Sequence, residues 1–301
     1  MTEPTLLVDG LDFGEGPRWH DGRLWYSDFH QHRIYAVSTD GTREVMVETG
    51  DERPSGLGWL PDGDLLMVAM LARQVWRVAH SQDSGSPSPK PEITVHADLS
   101  PIATWHCNDM VVAADGTAYV GNFGFDIEGD RSNPVSATLA IVAADGSVTA
   151  GPADLGFPNG AVITPDGSTL IVGETFASRM TAFDIDTTDS GAGALSGRRV
   201  WAETPGIRPD GCCLDAAGGI WIADAGGGGV VRVVEGGEVT DRIAMPDYRR
   251  PQTAYACMLG GEDGRTLFCV TAPGSRATDT VGVAGGAIWT VRVEHPAAGR
   301  P

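Results

Sequence analysis

Glu15, Asn108, Asn159 and Asp210 are oxygen-bearing side chains that recur at one register position of a repeating sequence. The marker of the repeat is an Asp-Gly pair, found at Asp21-Gly22, Asp62-Gly63, Asp115-Gly116, Asp166-Gly167 and Asp263-Gly264. A degenerate member, Ala217-Gly218, fills the wide gap between the last two. Seven residues before these pairs stand Ser55, Asn108, Asn159, Asp210 and Ala256; in the first unit the interval is six and the residue is Glu15. Two carboxylates and two amide carbonyls at one point make an all-oxygen cluster. Carboxylates about 4 Å apart repel by ~4 kcal/mol at an effective dielectric of about 20, and a divalent cation removes that repulsion. Hard oxygens suit Ca²⁺ or Mg²⁺, with Mn²⁺ an alternative, and no Cys or His stands in the column to favour Zn²⁺. Any one of these side chains at a strand start could do no more than tie a turn. The coincidence across four units is what points to a metal.

The elements that must position this column follow from the same markers. Asp-Gly flanked by apolar alternation is a hairpin signal, because both residues tolerate positive φ. Strand-like runs follow each turn at 24–27, 65–68, 118–121, 170–173, 220–223 and 267–270. Second runs follow at 33–37, 74–78, 138–142, 180–183, 230–233 and 287–291. Six copies at intervals of 41 to 53 residues predict an all-β fold, a six-bladed β-propeller spanning 1–301 as a single domain. Helical periodicity is nearly absent. Residues 5–8 are expected to add the outer strand of the last blade, closing the ring and hiding its sheet edges. Segments 81–91 and 187–198 resemble linkers and are expected to be long hairpin loops between third and fourth strands.

In a propeller the innermost strands ring the channel and their starts share one mouth. The loops after each second strand return to that mouth: 28–33, 69–73, 122–135, 174–179, 224–229 and 271–286. The long third and sixth of these are candidate lids. Met70, Leu71, Phe123, Phe125 and Phe176, with Trp105, are candidate members of an apolar wall that would suit a substrate of low polarity. His30 and His32 on the first loop carry no assigned role. The four glycines 226–229 lack the Lys-Ser/Thr and helix of a phosphate loop and make a flexible turn.

Composition excludes other classes. The formal charge of −19 argues against nucleic acid and anionic membrane surfaces as partners. No apolar run is long enough to span a bilayer, and the N-terminal residues do not resemble a signal peptide. Five cysteines with no C-x-x-C pair are expected to be reduced, apolar core residues of a cytoplasmic protein.

The strings Gly14-Glu15-Gly16-Pro17-Arg18-Trp19, Asn108-Asp109, Pro158-Asn159-Gly160 with Thr164-Pro165-Asp166-Gly167, and Pro209-Asp210-Gly211 resemble the gluconolactonase/regucalcin family over nearly the whole chain. The resemblance implies a six-bladed propeller with one catalytic divalent metal. It implies Glu15, Asn159 and Asp210 as metal ligands, with Asn108 contacting metal or substrate. Diisopropyl fluorophosphatase has a similar calcium site on the same fold. Sugar-lactone members commonly carry an Arg two residues before the Asn108 position, where this chain has His106, within Trp105-His106-Cys107-Asn108-Asp109. Imidazole is a poorer fork for hydroxyls than guanidinium.

The leading expectation is a lactonase using one divalent cation, Ca²⁺ first, with Mn²⁺, Mg²⁺ and Zn²⁺ as alternatives. The cation would polarise the carbonyl of a small-molecule lactone or ester; Asp210 would accept a proton from water or orient it, and Asn108 would hold the substrate oxygen. His106, Trp105, Phe123, Phe125 and Phe176 are the expected substrate-binding residues. The alternatives are phosphotriester or fluorophosphate hydrolysis on the same metal, and a non-catalytic metal-binding propeller. No Gly-x-Ser-x-Gly elbow supports a serine hydrolase.

Overall fold

Asp-Gly turns set the hairpins, and their conformation explains the repeat. In a computed structural model describing residues 3–79, 91–127, 129, 134–188 and 193–301, each marker glycine has positive φ, from 69° at Gly264 to 93° at Gly63. The first turn is a two-residue loop in which Asp21 also has positive φ, 48°. Later turns are longer, by two residues in blade 4 and by one in the others. The Asp side chain then accepts a backbone N–H two residues on, as Asp62 does from Asp64 at 3.1 Å and Asp115 from Thr117 at 2.9 Å. Where Ala217 replaces the Asp, Asp215 takes over and accepts the N–H groups of Ala217 and Gly219, both at 3.0 Å.

These hairpins build six four-stranded antiparallel sheets around an axis, a six-bladed β-propeller. Blade 1 runs outward from Gly14–His20 through Arg23–Asp28 and Arg33–Val37 to Arg43–Glu48. The inner strands of blades 2 to 6 are Pro54–Trp59, Cys107–Val112, Pro158–Ile163, Pro209–Leu214 and Thr253–Gly260. Each packs against the inner strand of the next blade, and Thr253–Gly260 returns to Gly14–His20. As expected, Thr5–Leu11 pairs with Gly286–Arg292 as the outer strand of blade 6. Apolar faces of neighbouring blades fill the space between them; one such cluster carries Leu24, Phe268 and Trp289 between blades 1 and 6.

The segment expected at 81–91 does connect the third and fourth strands of blade 2, but residues 80–90 lie outside the described residues. In blade 4 the strand Leu195–Glu203 takes in part of the expected 187–198 loop, and 189–192 lie outside the described residues. The 271–286 loop holds a four-residue helix, Ala277–Thr280.

The C-terminal tail has no precedent in the repeat. It crosses the face opposite the mouth, pairing Ala297 with Asp215 in blade 5 and Arg300 with Ile163 in blade 4. Backbone hydrogen bonds hold it, including Ala298 N–H to the Leu214 carbonyl at 3.0 Å and Ile163 N–H to the Arg300 carbonyl at 2.8 Å.

Candidate active site

Every inner strand carries a β-bulge near its start. In blades 1 to 5 the side chain at or inside the bulge is Glu15, Ser55, Asn108, Asn159 or Asp210. A bulge re-aims a side chain out of the regular pleat, and here it turns the column toward the axis. A glycine follows the column residue in four blades, for a steric reason: a Cβ on Gly160 would lie 2.4 Å from the Asp210 carbonyl oxygen, and one on Gly211 2.6 Å from Ala256 Cβ. Blade 3 has Asp109 at this place instead. Its carboxylate accepts from Arg18 Nη2 at 2.7 Å, and Arg18 also donates to the carbonyls of Leu57 and Pro17. Both side chains are buried.

Glu15, Asn108, Asn159 and Asp210 come together in one cavity at the mouth, about 130 Å³ in volume. That is small beside the roughly 300–1,000 Å³ of a drug-sized ligand site. Asn108 Nδ2 donates to Asn159 Oδ1 at 2.9 Å, and Asn159 Nδ2 donates to Thr175 Oγ1 at 3.2 Å. Thr175 Oγ1 in turn donates to the Pro209 carbonyl at 2.6 Å, so blades 3, 4 and 5 are linked through polar groups. Ser55 Oγ donates to Asn108 Oδ1 at 3.5 Å. An amide oxygen has two lone pairs, so Asn159 Oδ1 keeps an acceptor site beyond the one Asn108 uses.

The two carboxylates are electrostatically uncomfortable. Burial pushes Glu15 well above the usual carboxylate range, and the charges of Asp210 and Asp109 push it further. Asp210 is raised by burial and then by Asp109, with Asn159 and the Gly211 N–H opposing. Asp210 Oδ1 is buried and has no hydrogen-bond partner among the described residues. Among those residues no group of three or more His, Cys, Asp or Glu gathers for a metal. The donor set is instead two carboxylates with two amides. Two buried negative groups, one with an orphaned oxygen, fit a hard divalent cation.

All six mouth loops contribute to the cavity: Phe29 and His30, Met70, Phe123 and Ile127, Thr175 and Phe176, Ala225, and Ser275. Phe13 and Phe157 add two more rings from the strand entries. The aromatics touch in two groups. Phe13 lies 5.3 Å from Phe29 and 4.8 Å from Tyr255, while Phe157 lies 4.8 Å from Phe123 and 5.1 Å from Phe176. Trp105, His106 and Phe125 stand one layer out: His106 packs between Trp105 at 4.9 Å and Phe123 at 6.2 Å, and Phe125 rests on Phe176 at 5.8 Å. Leu71 and His32 are not cavity residues; His32 Nδ1 lies 2.9 Å from the Glu52 carbonyl oxygen. Residues 128 and 130–133 of the expected third-blade lid lie outside the described residues.

Sequence counting missed three features. In blade 6 the bulge falls on Tyr255, so Tyr255 faces the cavity and Ala256 is packed in the core. Four buried polar side chains end second strands in register: Asp28, Asn122, Glu174 and Asp224. They brace the mouth. Asp28 accepts the N–H groups of Asp12, Phe13 and Gln31, Glu174 that of Gly156, and Asp224 those of Arg208 and Gly226. A polar residue closing an apolar strand in the same four units that carry the column was the available signal. Finally, Arg53 and Arg208 line the cavity. The five cysteines are all free and buried, and burial raises the Cys107 thiol to about 12, so none is a poised nucleophile.

Fold and cavity together define a six-bladed propeller with a polar cavity built at the starts of its inner strands. Residues 13–273 match the family model described as the SMP-30/gluconolactonase/LRE-like region, and the chain belongs to this family. It is 30% identical over 315 residues to the pentonolactonase XacC of Haloferax volcanii, covering 100% of this chain and 97% of that one. It is 25% identical over 262 residues to the L-arabinolactonase of Azospirillum brasilense, covering 84% and 80%. Its fold is similar to that of a calcium-binding protein, regucalcin, from Agrobacterium tumefaciens, with a TM-score of 0.77, 21% identity, and 100% and 96% of the two chains covered. The protein is a lactonase-type hydrolase. No helix among the described residues is long and apolar enough to cross a membrane.

Proposed function

We propose that this protein opens a small lactone bearing few hydroxyl groups, with one divalent cation, Ca²⁺ first, held by Glu15, Asn159, Asp210 and Asn108. One observation carries the reading: Asp210 Oδ1 is buried without a partner beside a second buried carboxylate, at the base of a lactone-sized cavity. The regucalcin of similar fold is a calcium-binding protein, which supports the choice of ion. When bound, the cation supplies a Lewis acid for the lactone carbonyl.

The chain's own groups do the rest. Asp210 orients the attacking water and accepts its proton. Asn108, fixed by its bond to Asn159, holds the substrate oxygen. Water oxygen bonds to the carbonyl carbon, the ring C–O bond breaks, and the ring oxygen leaves as a hydroxyl carrying the proton taken from water. The product is a hydroxy acid. The aromatic walls keep bulk water out and pack against the ring. A polyhydroxylated ring would leave hydroxyls unpaired against Phe13, Phe29, Phe123 and Phe157, at about 1–3 kcal/mol each. Five free cysteines support a reducing compartment, and we place the activity in the cytoplasm.

The test is acid release from a panel of aldonolactones, alkyl γ-lactones, dihydrocoumarin and a phosphotriester, before and after stripping with EGTA. Calorimetric titration of the stripped protein with Ca²⁺, Mn²⁺, Mg²⁺ and Zn²⁺ gives a readout independent of turnover. Lactone opening that is lost on stripping and restored by one ion is expected. Undiminished activity in a demonstrably cation-free protein would overturn the metal reading.

A further inference from the structure

The residue just before each inner strand enters it from the mouth side. In the first five blades these residues are Phe13, Arg53, His106, Phe157 and Arg208. In blade 6 the place over the axis is filled by Tyr255. Phe13, Arg53, Phe157, Arg208 and Tyr255 all line the cavity. Blades 2 and 5 are three apart in a closed ring of six, so Arg53 and Arg208 stand on opposite walls. Blades 1 and 4 place Phe13 and Phe157 on the crossing diameter.

We propose that Arg53 and Arg208 are specificity-determining residues that select a lactone carrying an anionic substituent of the carboxylate class, with its ring between Phe13 and Phe157. This inference rests on the lactonase reading of the same site.

Three observations support it. A divalent cation at the floor would do no more than balance Glu15 and Asp210, and the chain as a whole carries a net charge of −19, so an anionic substituent needs positive charge on the cavity walls. The two arginines supply it as planar donor forks suited to an oxyanion. Both are also held at the backbone. Each precedes a proline, Pro54 or Pro209, which disfavours the helical region for it. The Arg53 N–H donates to Glu52 Oε1 and the Arg208 N–H to Asp224 Oδ1, both at 2.9 Å. His30, on the blade 1 mouth loop, adds no charge: burial and then the Arg53 charge lower it to about 4.

The experiment compares two γ-lactones that differ in one group, 5-oxotetrahydrofuran-2-carboxylate and γ-valerolactone, with cation-replete protein. The parent is expected to favour the carboxylate lactone by tenfold or more in kcat/KM. Arg53→Met and Arg208→Met should each lower that ratio about 10- to 100-fold, mainly through KM, and Arg→Lys variants should recover part of it. A parent preference for the neutral lactone, or Met variants that leave the ratio unchanged, would overturn the inference while leaving lactone hydrolysis intact. If neither lactone is opened, the lactonase reading fails for this pair. Titration with 2-hydroxyglutarate, the ring-opened acid, then decides the anion site alone. Binding that both Met variants weaken sustains it, and absence of binding to the parent overturns it.

Discussion

Arg18 Nη2 donates to Asp109 Oδ1 at 2.7 Å, joining the inner strands of blades 1 and 3 across blade 2 beneath the oxygen cluster. Both groups are buried, and the guanidinium also satisfies three backbone carbonyls. Arg18→Met would strand the Asp109 charge and three carbonyls. The expected cost is about 3–5 kcal/mol in chemical denaturation. The double variant Arg18→Met, Asp109→Leu should recover part of that loss. A single variant with unchanged stability would show that the pair does not hold the axis together.

Asp210→Asn removes a charge that burial disfavours. Stripped of cation, the variant should unfold at the same temperature as the parent or higher. Added Ca²⁺ at about 100 times Kd should stabilise the parent by ~2.7 kcal/mol and the variant far less. Thermal denaturation with and without cation checks this, and full retention of the cation effect would remove Asp210 from the ligand set.

Glu15 and Asp210 both sit above their ordinary values of 4.5 and 3.8. For carboxyls raised in the folded state, the stabilising contribution is fully present below the ordinary range and is lost as pH rises through the raised values. The cation-free protein should therefore lose stability as pH rises above that range. Cation binding displaces the same protons, so affinity should climb with pH over this window and protons should be released. Calorimetry in two buffers of different ionisation enthalpy reads the proton count. Affinity that falls with rising pH would contradict the assignment.

The C-terminal tail latches blades 4 and 5 on the face away from the site. Ending the chain at residue 293 removes the hydrogen bonds of Pro296, Ala297, Ala298 and Arg300 to Ala216, Gly264, Leu214 and Ile163. At about 1 kcal/mol net per bond, the expected loss is about 3–5 kcal/mol. KM should not change, because no tail residue lines the cavity. A raised KM would mean that far-face closure controls the mouth.

Much of this protein was legible without coordinates, because its signals are local. Asp-Gly turns and alternating apolar runs dictate hairpins one at a time, and their count and spacing dictated six blades with Thr5–Leu11 closing the last. Counting back from the turns also picked out Glu15, Asn108, Asn159 and Asp210, which the fold brings into one cavity. Counting failed where the strand did not keep its period. The blade 6 bulge exchanges the faces of Ala256 and Tyr255, since one extra residue inverts a period of two. Contacts between blades were silent for a different reason. Arg18 and Asp109 are 91 residues apart, and Ile163 meets Arg300 across the far face. Such pairs leave no spacing signature, because only ring closure brings them together. Arg53 and Arg208 stand outside the repeating column and have no spacing signal of their own; their places on opposite walls of one cavity were decided by the sixfold arrangement alone.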